Sequence, residues 1–139
     1  MNDLAQARQQ LDADKLAFVL VKEGNVLATS DDYGVRELLA AVDRLGATVR
    51  GASLADKVVG NAVALIVVHA GICAVSTRVA SESAVKTLQR YGVPLHAGTI
   101  VPQILNRRSD GPCPMEKVTM PFAEVGPGLA ALREFMGAR

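Results

Sequence analysis

The chain has 139 residues, half of them hydrophobic, but only 4% aromatic and with no Trp, so its core must be built from small aliphatics. That length fits one compact domain spanning 1–139 that folds without metal or disulfide support. Fifteen basic against fourteen acidic residues leave a net charge of +1, which excludes the broad attractive field a nucleic-acid polymer needs. The few scattered aromatics offer single strands no stacking platform, while a small nucleotide stays open.

Two cysteines cannot form a disulfide framework, and Met1-Asn2-Asp3-Leu4 does not resemble a basic leader before an apolar signal segment. These features point to a cytoplasmic protein with reduced thiols. In chain order, Leu4, Ala7 and Leu11 are spaced for a short amphipathic helix over residues 2 to about 12. Leu16–Lys22 and Val26–Thr29 are apolar runs joined through Glu23-Gly24-Asn25, which predicts a hairpin, because Gly and Asn tolerate the positive φ of tight turns. Val35, Leu38, Leu39, Val42 and Leu45 mark one face of a helix that Gly46 ends.

Ser53-Leu54-Ala55-Asp56 has the form of a capping box, with Asp in place of Glu or Gln, and predicts the start of a helix that runs to about Ala70. Between Val58 and Ser76 only Asn61, His69 and Ser76 are polar, a stretch long enough to suit a membrane span. Two polar groups in hydrocarbon and Gly71 within the run favour instead a buried helix followed by a buried strand to about Arg78. Ser81 caps the next helix, with Ala84, Val85, Leu88 and Tyr91 on its apolar face and Gly92 as its stop. Leu95–Val101 is a strand, and the strand, helix, strand order predicts a parallel βαβ unit. A polar loop follows from Asn106 to Glu116, then an edge strand over Lys117–Phe122 and a closing helix from Pro127. The fold class is therefore α/β, a three-layer α/β/α domain around a five-stranded mixed sheet.

Three groups carry the candidate chemistry. Asp56 and Lys57 are expected in the first turn of the apolar helix, whose positive dipole end can hold an anion; the alternative is plain capping by Asp56 beside a solvated lysine. Ser81, Glu82 and Ser83 open the next helix directly after a strand, where ligands of open α/β sheets gather, although ordinary capping also accounts for them. The loop Asn106-Arg107-Arg108-Ser109-Asp110-Gly111-Pro112-Cys113-Pro114-Met115-Glu116 is the densest cluster of reactive groups: its arginines can fork onto a phosphate, or simply be a solvated basic pair on a surface turn. Catalytic candidates are Cys113, with His96 as a base, and the carboxylates Glu116 and Asp56. His69, Cys73, His96 and Cys113 are the only set with tetrahedral zinc chemistry, but no close Cys-x-x-Cys pair supports it, and His69 and Cys73 read more simply as core residues beside the sheet. Neither a metal nor another cofactor is expected.

Ala55-Asp56-Lys57-Val58-Val59-Gly60-Asn61-Ala62, Ser81-Glu82-Ser83-Ala84, and Asn106-Arg107 with Cys113-Pro114-Met115-Glu116 together resemble the prokaryotic family catalogued as domain of unknown function 1893, over about Leu16 to Glu116. The resemblance implies a cytidine deaminase-like fold. A zinc deaminase needs a His or Cys ligand followed two residues on by Glu, then Pro-Cys-x-x-Cys at the next helix start. Here the expected first helix start offers Asp56-Lys57 and the second Ser81-Glu82-Ser83, while Pro112-Cys113-Pro114-Met115-Glu116 comes after the βαβ unit. Zinc-dependent deamination is therefore not expected. The leading expectation is a zinc-free pocket for a nucleotide-like or other anionic small molecule, lined by Asp56, Lys57, Ser81, Glu82, Asn106 and Arg107 and closed by Cys113 and Glu116. The alternatives are a zinc-independent enzyme using Cys113 or a carboxylate, and a non-catalytic homo-oligomer, the latter because sheets with a hairpin edge tend to pair.

Overall fold

Helices and strands alternate in the order α1 (Asp3–Ala13), β1 (Phe18–Lys22), β2 (Asn25–Ser30), α2 (Val35–Leu45), a 3-10 turn (Gly46–Val49), β3 (Ser53–Val59), α3 (Asn61–Ala70), β4 (Ala74–Ser81), α4 (Glu82–Arg90), β5 (Leu95–Val101), α5 (Pro114–Thr119) and α6 (Val125–Gly137). The structure is a computed structural model that describes residues 2–32, 34–106, 108–109 and 111–137. Its single sheet has the strand order β2-β1-β3-β4-β5, with β1 antiparallel to both neighbours and β3, β4 and β5 parallel. This is the expected α/β architecture with a five-stranded mixed sheet.

The hairpin forms as its sequence requires. Glu23 and Gly24 take φ of 52° and 79°, the left-handed pair that matches strand twist in a two-residue turn. Asp3 of α1 fixes that turn, its carboxylate accepting from the N–H groups of Glu23 at 2.8 Å and Gly24 at 2.9 Å.

Two expected elements are corrected. Ser53–Asp56 does not cap a helix: Ser53–Val59 is β3, at the middle of the sheet, and the helix begins only at Asn61, after Gly60. Pairing with β1 on one side and β4 on the other satisfies this backbone, and such pairing overrides a local capping pattern. Asp56 instead accepts from the N–H of Val58 at 3.1 Å, a local turn inside the strand. Lys117–Phe122 is not a strand either, because Pro114 supplies the fixed φ of a first helical position and α5 runs through Lys117 to Thr119. The sheet keeps five strands because the gain of β3 offsets the loss of the expected edge strand.

Among the described residues helix α1 alone covers one sheet face, packing Ala7 and Leu11 on Val19, Val21 and Ala55. The opposite face carries α2, α3 and α4, with α6 laid over α3. Helix α3 is buried at eight of its ten positions, all of them Ala, Val, Leu or Ile except Asn61. Small side chains let neighbours close in on every side. At Gly128 of α6 a Cβ would fall 2.7 Å from Leu65 Cδ1 and 3.0 Å from Phe122 Cβ, so glycine sets that helix contact. Each fully buried Val or Leu contributes about 1.5–3 kcal/mol to the fold. Among the described residues no helix is long and apolar enough to cross a membrane.

Candidate functional site

The carboxyl ends of β3 and β4 lead directly into α3 and α4, so the two helix N-termini meet beside the same sheet edge. Gly60, the N-cap of α3, has no side chain with which to cap it. Ser81, the N-cap of α4, is fully buried and accepts from the N–H of Ala84 at 3.2 Å. Between the two starts lies the carboxylate of Glu116, delivered by α5 and only 2% exposed. Its Oε1 accepts from the N–H of Asn61 at 3.0 Å, from Ser83 Oγ at 2.8 Å and from Ser81 Oγ at 3.3 Å. Its Oε2 accepts from the N–H of Ile104 at 3.2 Å.

Asn61 completes the knot. Fully buried, it donates through Nδ2 to the carbonyls of Thr119 at 2.7 Å and Phe122 at 3.0 Å, and its Oδ1 accepts from Thr87 Oγ1 at 2.6 Å. One side chain thus ties α3 to α4 and to α5 with every amide atom used. The sequence signal for it was a lone Asn in an otherwise apolar run, which must find partners once the run is buried.

Of the expected site residues, the structure joins Ser81 to Glu116 directly. Glu82 is exposed at the start of α4. Asp56 and Lys57 stand in β3 rather than at a helix start, both half-buried. By register, Asp56 lies in one row with Phe18 of β1 and Thr77 of β4, on the face that carries α2, α3 and α4. Thr77 repeats its local turn, taking the N–H of Val79 at 3.3 Å. Although part of Asp56 stays accessible, burial pushes its carboxyl up to about 7, against the backbone N–H groups of Val58 and Lys57 that hold it down. A carboxylic acid that titrates near neutrality at the middle of a central strand is a candidate proton carrier or hydrogen-bond donor.

Asn106 braces its own loop: its N–H donates to the carbonyl of Gly111 at 2.9 Å and its Oδ1 accepts from the N–H of Arg108 at 3.1 Å. Arg107 and Asp110 lie outside the described residues. Cys113 is the N-cap residue of α5 and half-buried, its N–H bonded to the carbonyl of Ile104 at 2.7 Å. His96 is exposed on β5, and among the described residues no hydrogen bond joins it to Cys113. His69 and Cys73 are exposed rather than core residues, because α3 and the turn after it present them outward. Two surface depressions lie elsewhere, one of about 220 Å³ between the ends of α2 and α3 and one of about 390 Å³ between α4 and β5.

Zinc does not fit this site. The first helix start is Gly60-Asn61-Ala62, not Asp56-Lys57, and like Ser81-Glu82-Ser83 it offers no imidazole or thiol. Seryl hydroxyls and one carboxylate already engaged by four donors do not make a zinc ligand set. Among the described residues no group of three His, Cys, Asp or Glu is placed to hold a metal.

A DUF1893 family protein from Thermotoga maritima has a crystal structure that superposes with a TM-score of 0.86 at 21% identity, covering 99% of this chain and 90% of that one. The dCMP deaminase of cyanophage S-TIM5 superposes more loosely. Its apo form gives a TM-score of 0.50 at 16% identity over 68% of this chain and 93% of that one, and its complex with dCMP and dUMP gives 0.51 at 14% over 68% and 92%. The fold is therefore deaminase-like. No match is found among curated proteins. Residues 6–136 match the family described as TM1506: Domain of unknown function (DUF1893), and the chain belongs to that family.

Proposed function

We propose that this domain binds a small anionic, nucleotide-like molecule over the carboxyl ends of β3 and β4, without zinc. The observation that carries this reading is the convergence of the α3 and α4 N-termini at the ends of parallel strands, the place where open α/β sheets take their ligands. The likeness of fold to a dCMP deaminase solved with dCMP and dUMP supports nucleoside monophosphates as the first probes. Ser81 and Glu116 are buried and fully engaged, so they act as the floor that fixes the site. Contact with ligand falls to Asp56, Lys57, Glu82 and the loop of Asn106, Arg107 and Cys113, with Asp56 meeting a base or ribose edge and Lys57 and Arg107 meeting phosphate. The setting is the cytoplasm, with both free cysteines reduced.

A thermal-shift series with dCMP, dUMP and other nucleoside monophosphates tests this. A ligand at 100 times its Kd adds about 2.7 kcal/mol of stability. Asp56→Ala and Arg107→Ala should each reduce that shift. No stabilisation by any of these nucleotides, or shifts untouched by both substitutions, refutes the pocket.

Self-association is a second reading, favoured by β5. That edge strand has no fully buried residue and no Lys, Arg, Asp or Glu, and it leaves Ile100 55% exposed, whereas monomers tend to protect such edges with charge or proline. Sedimentation of the wild type against Ile100→Lys decides it: a monomeric wild type sinks the reading.

A further inference from the structure

We propose that the N-termini of α3 and α4, closed over by the Ile104 N–H, form an anion cradle that the chain fills with its own Glu116, and that a small carboxylate takes that place when the side chain is removed. Ordinary helix capping is local, yet α3 has no side-chain cap of its own. The acceptor for its Asn61 N–H comes from 55 positions away. The same oxygen takes the hydroxyls of Ser81 and Ser83 at the start of α4, so one carboxylate serves two helices of ten and nine residues. The partners of the Glu116 carboxylate are the N–H groups of Asn61 and Ile104 and the hydroxyls of Ser81 and Ser83. Its charge is met by backbone N–H groups, hydroxyls and the positive ends of two helices, the recurring makeup of anion sites.

The cradle is also shaped for a carboxylate. A Cβ on Gly60 would lie 2.8 Å from Oε2 and 3.2 Å from Ile104 Cγ1, so the absence of a side chain there is what admits the second oxygen. The six-residue α5 is far too short to persist alone, and it is held by this carboxylate together with the bonds from Asn61 to Thr119 and Phe122. An anion in the cradle is thereby coupled to the order of α5, whether or not a nucleotide binds at Asp56.

The test uses Glu116→Ala, melted in rising sodium formate and, in parallel, in sodium chloride of equal concentration. The variant is expected to melt about 10 °C below wild type in chloride. Formate should recover several degrees of that loss with a saturable dose dependence, while leaving the wild type, whose cradle is filled, no better than chloride does. Glu116→Gln puts an amide N–H among four donors, so it should also melt well below wild type and gain nothing from formate. Formate acting no differently from chloride on Glu116→Ala, or raising wild type equally, overturns the proposal. So does a Glu116→Gln protein as stable as wild type. If Glu116→Ala does not fold in chloride, it is refolded in both salts: folded protein in formate alone supports the cradle, and failure in both overturns it.

Discussion

Asn61→Ala is the most direct probe of the polar knot that joins α3, α4 and α5. The substitution keeps the Asn61 backbone N–H on Glu116 but removes three side-chain hydrogen bonds at a position with no solvent exposure. The Thr87 hydroxyl and the carbonyls of Thr119 and Phe122 are left to find partners where water does not reach freely. At about 1–3 kcal/mol for each buried group left unsatisfied, and with partial relaxation, the loss comes to about 3–5 kcal/mol. An unfolding entropy of about 2.1 cal/mol/K per residue makes each kcal/mol worth roughly 3 °C in a chain of this length, so Tm should fall by about 10–15 °C. Urea denaturation measures it, with the midpoint shifted and the slope unchanged. Asn61→Asp should be worse than Ala, because it aims a negative oxygen at two carbonyls and keeps the size. A double-mutant cycle with Thr87→Val should return a coupling of about 1–2 kcal/mol. A loss below about 1 kcal/mol for Asn61→Ala, or an Asp variant more stable than the Ala variant, would refute the reasoning.

Asp56 gives a pH signature: its folded pKa of about 7 lies above the ordinary 3.8, so the native state holds the proton longer and stability falls as pH rises between those values, by at most about 1.4 kcal/mol per pH unit. Asp56→Asn should flatten that part of the stability curve and gain most over wild type above pH 7; an unchanged curve counts against the buried acid. In α6, Gly128→Ala strikes Leu65 and Phe122 and should cost about 1–3 kcal/mol, read by thermal melts. Arg133 grips Asp43 with two bonds of 2.9 Å, and the guanidinium holds that carboxyl below its usual range. Both side chains are more than 40% exposed, so Arg133→Met should cost no more than about 1 kcal/mol at neutral pH, and that difference should vanish as pH falls through the lowered Asp43 pKa.

Elements whose local signals and tertiary environment agree were legible in the sequence. The α2 stripe ending at Gly46, the Ser81 cap, the Glu23-Gly24 turn and the β4-α4-β5 unit all lie where periodicity and turn chemistry place them. Strand β3 was hidden because Ser53-Leu54-Ala55-Asp56 has the form of a capping box, and only the pairing partners on both sides reveal that this backbone is extended. Helix α5 was hidden by Val118, Thr119 and Phe122, whose strand preference is overruled by Pro114 at the first turn and by the anchoring of Glu116. For the same reason the site was half visible. Residue types singled out Ser81 and Glu116, but their meeting depends on a chain reversal after β5 that no local pattern encodes, and Asn61 stood out only as the polar residue that a buried run could not leave unpaired.

The site's polarity explains how a deaminase-like arrangement of two helix starts can stand without metal ligands. Helix N-termini present N–H groups and positive dipole ends, so they call for negative charge between them. Thiolate ligands at such a place supply that charge and need a cation to bridge them, whereas a carboxylate supplies it directly and needs none. Here Ser81 and Ser83 bring hydroxyls, and Glu116 brings the negative charge from another element. The electrostatic demand of α3 and α4 is met in both cases, but in this chain it is met by a side chain that also fastens α5. The floor between the two helix starts is therefore closed and already filled by a carboxylate, which leaves no opening there for a bridging cation.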